Sequence, residues 1–291
     1  MKTYLFRLPV ILLAMLMLNA CEKGYIAEEE TKTGNESNVT LRVKSIEMVP
    51  FENTTISRAS TEMSELCSRL QFAVFKDGEK KKNISQQAGD AGFGEATISL
   101  PEGDYQLVVM GHSCTGTATI TDLEKITFPN NKVTDTFYYY GTFTVGNDSK
   151  IVELDLKRAV AMLRFDLTQP LAENIKQLKF LYTGGSSTFS AITGFGSVKS
   201  HQTEIRDVAS GQKVFEVYTF PHAQEGKLKV TITALDANGT EVAETVMEEI
   251  PVEVNKISVY NGVLFDDTTN SSSPSIKVKG DGDWDGTINV N

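Results

Sequence analysis

Side chains able to do covalent or metal chemistry are few and widely spaced. The 291 residues hold three histidines (His112, His201, His222) and three cysteines (Cys21, Cys67, Cys114). No Gly-x-Ser-x-Gly, His-Glu-x-x-His or Walker-type loop occurs, so no nucleophile elbow, helical zinc pair or phosphate cradle is encoded. The chain therefore reads as a non-enzyme without a cofactor. The nearest approach to a metal motif is Asp281-Gly282-Asp283-Trp284-Asp285-Gly286. It sets Asp281, Asp283 and Asp285 at positions 1, 3 and 5 of a calcium loop and a glycine at 6. The bidentate acid due at position 12 falls beyond Asn291, so an acidic turn before a terminal strand is favoured over a Ca²⁺ site. The run Phe137-Tyr138-Tyr139-Tyr140 offers flat faces that either stack on sugar rings or pack across strands, the second being preferred.

Cys21 carries the clearest chemistry. Lys2 and Arg7 form a positive leader, Pro9 to Leu18 is an apolar run too short for a permanent span, and Leu18-Asn19-Ala20 precede the cysteine. This resembles a bacterial lipobox, in which the thiol is diacylated, the leader 1–20 removed and the new amino group acylated. Three acyl chains exceed what stable anchoring requires. Residues 21–38 are polar, with the acidic cluster Glu28-Glu29-Glu30, and read as a flexible tether. With Cys21 lipidated, Cys67 and Cys114 remain as an even pair in an oxidising compartment, either disulfide-bonded or separately buried.

The charge balance, 28 Lys+Arg against 38 Asp+Glu and net −10, argues against nucleic acid, which demands a basic face. Loss of Lys2 and Arg7 with the leader makes the mature chain more acidic still.

The elements beneath these residues are strands. Val39, Leu41 and Val43 alternate with polar residues; so do Val152, Leu154 and Leu156, and Leu228, Val230, Ile232 and Ala234. A period of two puts each apolar set on one face of a strand. Asp77-Gly78, Pro101-Glu102-Gly103, Gly184-Gly185 and Asp236-Ala237-Asn238-Gly239 separate such runs as turns. The expectation is an all-β chain of two antiparallel β-sandwich domains in tandem, 39–156 and 157–291, meeting without a long linker.

Four stretches resemble the Bacteroidales fimbrillins, the type V pilins, and above all their FimB-like anchor branch. They are LQFAVFKDG at 70–78, PEGDYQLVVMGH at 101–112, KRAVAMLRFDL at 157–167, and 227–239 taken with IPVEVNKISVYNGVLF at 250–265. The resemblance implies transthyretin-like sandwiches, a lipidated N-terminus, other fimbrial subunits as partners, and a place on the outer membrane at the cell surface. It also implies assembly by strand addition. A sandwich lacking a strand offers unpaired backbone and an apolar groove. The candidate removable strand is Val39–Met48, with Val39, Leu41 and Val43 as its apolar face. Arg58, in Ser57-Arg58-Ala59, is the candidate processing site, because stalk subunits of the family are cut after an arginine in a comparable place.

The candidate donor is the C-terminal segment, where Ile276, Val278, Trp284, Ile288 and Val290 share one face if extended. The competing reading makes it the last strand of its own domain. A subunit retaining its first strand can only donate and sits at one end of a fibre, which favours an anchor over a stalk or tip subunit processed after Arg58. The rival class is a surface lipoprotein that captures a glycan or peptide from host or bacterial surfaces.

Overall fold

In a computed structural model of the chain, the structure describes residues 36–47, 63–265, 276–279 and 288–290. The first half contributes β1 (Glu36–Glu47), a single helical turn α1 (Met63–Leu66), β2 (Arg69–Lys76), β3 (Glu79–Gln87), β4 (Glu95–Pro101), β5 (Gly103–His112), β6 (Ile126–Thr127), β7 (Thr136–Val145) and β8 (Lys150–Arg158). The second adds β9 (Ala161–Leu167), β10 (Gln177–Thr183), β11 (Gly185–Ser186), β12 (Thr188–Ser190), β13 (Phe195–Gly196), β14 (His201–Asp207), β15 (Val214–Pro221), β16 (Glu225–Leu235), β17 (Glu241–Glu253), β18 (Ile257–Gly262), β19 (Ile276–Lys279) and β20 (Ile288–Val290). The protein is all-β.

The first sheet runs β3-β2-β5-β7-β8-β1-β4. It is a folded sheet rather than a flat one, because β7 and β8 pair only at Phe137↔Arg158 and Tyr138↔Lys157 and then part. Beyond that corner β8, β1 and β4 close over β2, β5 and β7. Their inward residues form one core: Val39, Leu41 and Val43 from β1, Ile98 and Leu100 from β4, Leu154 and Leu156 from β8, facing Leu70, Phe72, Leu107, Val109 and Phe137. The β2–β3 hairpin turns at Asp77 and Gly78, both at positive φ (55° and 78°), the geometry that matches strand twist in a two-residue turn.

The second half repeats the plan. The sheet β14-β10-β16-β17 packs on β15, β9 and β18, enclosing Leu163, Phe165, Phe180, Tyr182, Val217, Val230, Ile232 and Tyr260. The β16–β17 hairpin is tied by Asp236, whose Oδ1 accepts from the amides of Asn238 and Thr240, both at 2.8 Å. Those bonds hold its carboxyl below the ordinary range.

A third core joins the halves. Ala73, Phe75, Val108, Met110 and Tyr138, on the other face of the first sheet, pack with Ile120, Ile126 and Phe128 and with Ala159, Val160, Phe189 and Phe220. This explains why β2 and β5 are apolar on both faces instead of alternating. A small sheet β13-β12-β6 spans the same junction. Arg158 pins it. Its guanidinium is nearly buried, donates to both carboxylate oxygens of Asp135 (2.7 and 3.0 Å) and to Asn255 Oδ1 (3.0 Å), and lies over the Phe137 ring. Asn255 holds the turn before β18 at φ 62°. Burial pushes the Asp135 carboxyl up and the neighbouring guanidinium pulls it back.

Candidate functional site

β1 is an interior strand. It pairs antiparallel with β4 from Glu36↔Pro101 to Arg42↔Glu95, and parallel with β8 from Val39↔Lys150 to Glu47↔Lys157, with an irregularity between Val43 and Ser45. Val39 and Leu41 are fully buried and Val43 is 8 % exposed. The opposite face is polar: Arg42 bridges Glu95 at 2.6 Å and Lys44 bridges Glu153 at 3.1 Å, while Ser45 donates to Asp155 at 2.5 Å. These are exposed ion pairs and add little. The apolar face is the larger contribution, at about 1.5–3 kcal/mol per buried side chain. Taking β1 away would leave two ladders of unpaired backbone around a slot in the apolar core. Both neighbours are distant in sequence, and β1 is joined to β2 through residues 48–68, which include α1. Arg58 lies in that connection; both it and Cys21 are outside the described residues.

The tail takes a different form from one extended strand. β19 pairs antiparallel with β18, Ser258 opposite Val278 and Tyr260 opposite Ile276. β20 folds back on β19, setting Val290 opposite Ile276 and Ile288 opposite Val278. Four of the five apolar residues read along one face, Ile276, Val278, Ile288 and Val290, are thus paired across a hairpin at the edge of the chain's own second sandwich. The even spacing is compatible with both arrangements. Trp284, Asp281, Asp283 and Asp285 lie between β19 and β20, outside the described residues. Among the described residues no group of three or more His, Cys, Asp or Glu could hold a metal ion.

Cys67 and Cys114 are both free and buried. Cys67 belongs to the core between β1 and β5, against Gly111, and Cys114 to the core at the junction, on the other face of the sheet. The disulfide allowed by the even count is not formed, because the sheet separates the two thiols. Burial pushes Cys67 up to about 12 and raises Cys114 as well, so neither is a ready nucleophile. His112 is wholly buried, its Nδ1 accepting from the Cys114 amide at 3.2 Å; burial and then Arg69 bring it down to about 4.

The tyrosine run divides between roles. Tyr138 is buried, edge-on to Phe189 at 4.7 Å. Tyr139 and Tyr140 are half-buried where β7 and β8 part, and with Asp155, Lys157 and Ala191–Thr193 they line a cleft of about 330 Å³. Asp135, Arg158, Asn255 and the cleft residues outside the tyrosine run were not singled out in the sequence. Arg158 sits inside the KRAVAMLRFDL stretch, but only the fold brings Asp135 and Asn255 to it.

The pattern of a family of unknown function, DUF6562, matches residues 30–291. The chain belongs to that family. No curated protein matches this DUF6562 chain. Among solved structures it is similar to a candidate polysaccharide-binding protein of Bacteroides thetaiotaomicron (11% identity, 88% of this chain and 99% of that one, TM-score 0.50). It is also similar to a candidate adhesin of the same species (11%, 90% and 100%, 0.49) and to the fimbrial anchor protein Mfa2 of Porphyromonas gingivalis (11%, 88% and 100%, 0.46). At such identities the first of these speaks for the fold of the DUF6562 chain alone.

Proposed function

We propose that the chain is a lipid-anchored fimbrial subunit of the outer membrane, acting as the anchor that joins a type V pilus to the cell surface. The observation that carries this is β1: an interior strand, paired on both sides and closing the first sandwich, on a chain with a lipobox. A subunit that keeps β1 has no open groove and cannot accept a partner strand. Its available segment is the hairpin β19–β20 on the edge of β18, which can leave that edge and pair with the next subunit. The lipid at Cys21, the tether 21–38 and the sandwiches 39–156 and 157–291 then form a mechanical series from membrane to fibre. The resemblance of four sequence stretches to fimbrillin anchors supports the same reading.

N-terminal sequencing of the surface-assembled protein tests it. A blocked, lipidated Cys21 is expected; a start at Ala59 would make the chain a processed stalk or tip subunit instead. Deleting 276–291 is expected to abolish attached filaments while leaving the lipoprotein in the membrane. Filaments unchanged in number, length and attachment would end the strand-addition reading.

A further inference from the structure

In the second sandwich one sheet ends on β14, which has β10 as its one neighbour. The facing sheet ends near β15, which pairs on its outer side with β11 only at Phe220 and Pro221. From Val214 to Thr219 that outer side carries no strand among the described residues. The Leu167 amide donates to the Lys213 carbonyl at 2.9 Å, so odd-numbered positions here bond to β9. Glu216 and Tyr218 therefore turn their backbone groups outward. Two outward carbonyls in register are a template for a strand of another chain.

Side chains fill that template instead. β14 sets Gln202, Glu204 and Arg206 opposite Tyr182, Phe180 and Leu178 of β10, on the face that meets the core. Arg206 Nη2 donates to the Glu216 carbonyl at 3.2 Å and lies 2.6 Å from Glu204 Oε2. The Tyr182 hydroxyl points its proton between the Tyr218 carbonyl (3.1 Å) and Glu204 Oε1 (2.8 Å). Gln202 Nε2 backs it at 3.3 Å, and Gln202 Oε1 accepts from the Thr219 hydroxyl at 2.6 Å. Gln202 and Glu204 are buried, and polar groups in such places are unfavourable unless they are bonded. An apolar residue at these positions would pack on Phe180 and Leu178 but could not reach the β15 carbonyls. The matching seam of the first sandwich, between β3 and β4, is closed in the same manner. There Gln86 donates to the Glu95 carbonyl at 2.7 Å and accepts from the Gly94 amide at 3.0 Å.

We infer that Gln202, Glu204 and Arg206, with Tyr182, are the residues that close the β15 edge to strand addition by a second copy of this chain. They occupy the acceptors that an incoming backbone would need, and inward-pointing charge on an edge strand disfavours extension of that sheet as well. Assembly is thereby restricted to the tail side of the second sandwich, where β18 carries β19. This goes beyond the anchor reading, because it concerns an edge that is closed in the isolated chain whatever the chain attaches to.

Light scattering and hydrogen exchange on the chain without its leader and lipid test it. Gln202→Val, Glu204→Leu, Arg206→Leu and Tyr182→Phe together uncover both carbonyls and leave neither charge of the buried pair behind. This fourfold variant is expected to self-associate at least tenfold more tightly than the native chain, with the Glu216 and Tyr218 amides newly protected from exchange. Association through the added apolar surface alone would leave those amides unprotected and would overturn the inference. A folded variant as monomeric as the native chain would do the same, as would a native chain whose Glu216 and Tyr218 amides gain protection with concentration. If loss of protection in β10 and β16 shows that the fourfold variant does not fold, Tyr182→Phe with Gln202→Val decides. That pair uncovers Tyr218 and keeps the Glu204–Arg206 ion pair. It is expected to associate with the Tyr218 amide protected, and an unchanged monomer would overturn the inference. Because no membrane or filament enters the assay, its failure leaves the anchor reading standing, and loss of the anchor reading leaves the sealed edge standing.

Discussion

The two sandwiches are built alike but hold their first strands differently. In the first, β1 lies between β4 and β8; in the second, β9 lies between β15 and β18. Each first strand runs parallel to the late strand of its own half, β1 with β8 and β9 with β18. The difference is in the chain. β9 follows β8 across Ala159 and Val160 alone, both buried in the junction core, so it cannot leave without separating the halves. β1 is joined to β2 through residues 48–68 and is held by its apolar face, its two ladders and the exposed pairs Arg42–Glu95 and Lys44–Glu153. The same position in the plan is therefore tied to its neighbour in sequence by two buried residues in one half and by a long connection in the other. The outer side of the late strand differs too: β8 has only the two-pair corner with β7, whereas β18 carries the β19–β20 hairpin.

Deleting residues 36–47 should separate the two halves most sharply. Loss of Val39, Leu41 and Val43 from the core costs about 5 kcal/mol or more by burial alone, before the unpaired ladders of β4 and β8 are counted. The first sandwich should lose its cooperative unfolding transition while the amides of β10 and β16 stay protected from hydrogen exchange. Adding the peptide 36–47 in trans should restore the transition. If the deletion variant melted like the full chain, β1 would not be closing that core.

Arg158→Met is next in size. It leaves the half-buried Asp135 without its guanidinium, and breaking such a pair from one side costs about 3 kcal/mol, the low end of the range for fully buried pairs. The effect should shrink at low pH, because a protonated Asp135 no longer needs the partner, and Asp135→Asn in the Arg158→Met background should recover part of the loss. Urea unfolding followed at pH 7 and pH 4 measures both. Since the pair ties the junction, the variant should also show the halves unfolding in separate steps.

His112 distinguishes the halves by pH. Folding holds its imidazole neutral down to about 4, whereas the unfolded chain takes the proton near the ordinary 6.5. The unfolded state therefore binds more protons between those values, so stability falls as pH drops from about 6.5 to about 4 and this loss levels off below. The full effect is about 3 kcal/mol. It belongs to the first half, where His112 abuts Cys114 and Phe128. His112→Phe should flatten that part of the stability–pH curve, and a slope unchanged by the substitution would assign it to other groups.

How far the sequence carried these conclusions depends on what set each feature. β1, β8 and β16 were legible because one face of each meets water, so burial imposes a period of two. β2 and β5 were legible as strands but not as double-faced ones: DYQLVV reads the same whether its second face meets solvent or the junction core. The turns at Asp77-Gly78 and Asp236–Gly239 were legible because positive φ and side-chain-to-amide bonds restrict the residue types. The Arg158–Asp135–Asn255 pin and the partners of the tyrosines at the cleft were not, since they join residues up to 97 positions apart and no local rule ties them. Cys67 and Cys114 show the limit of counting, because an even number says nothing about which face of a sheet each thiol occupies. The tail shows the limit of parity. Even spacing survives a reversal of direction, so a hairpin and one extended strand write the same pattern.

That ambiguity makes the tail the finest test of the comparison. β19 adds four register pairs to the edge of β18, whereas β1 is paired along both of its sides, so removing 276–291 should cost far less than removing 36–47, about 1 kcal/mol on the scale of a few net backbone hydrogen bonds. The melting temperature should move little. The local signature should be clear: amides of Ile257–Tyr260 that face β19 exchange faster, while those of β9, on the other side of β18, do not. An edge opened in this way is also a template for another strand, so the truncated chain should capture a synthetic peptide of residues 276–291 at that edge. Unchanged exchange along β18 would mean that the hairpin does not cover the edge in solution, and the contrast with the closed first sandwich would then rest on β1 alone.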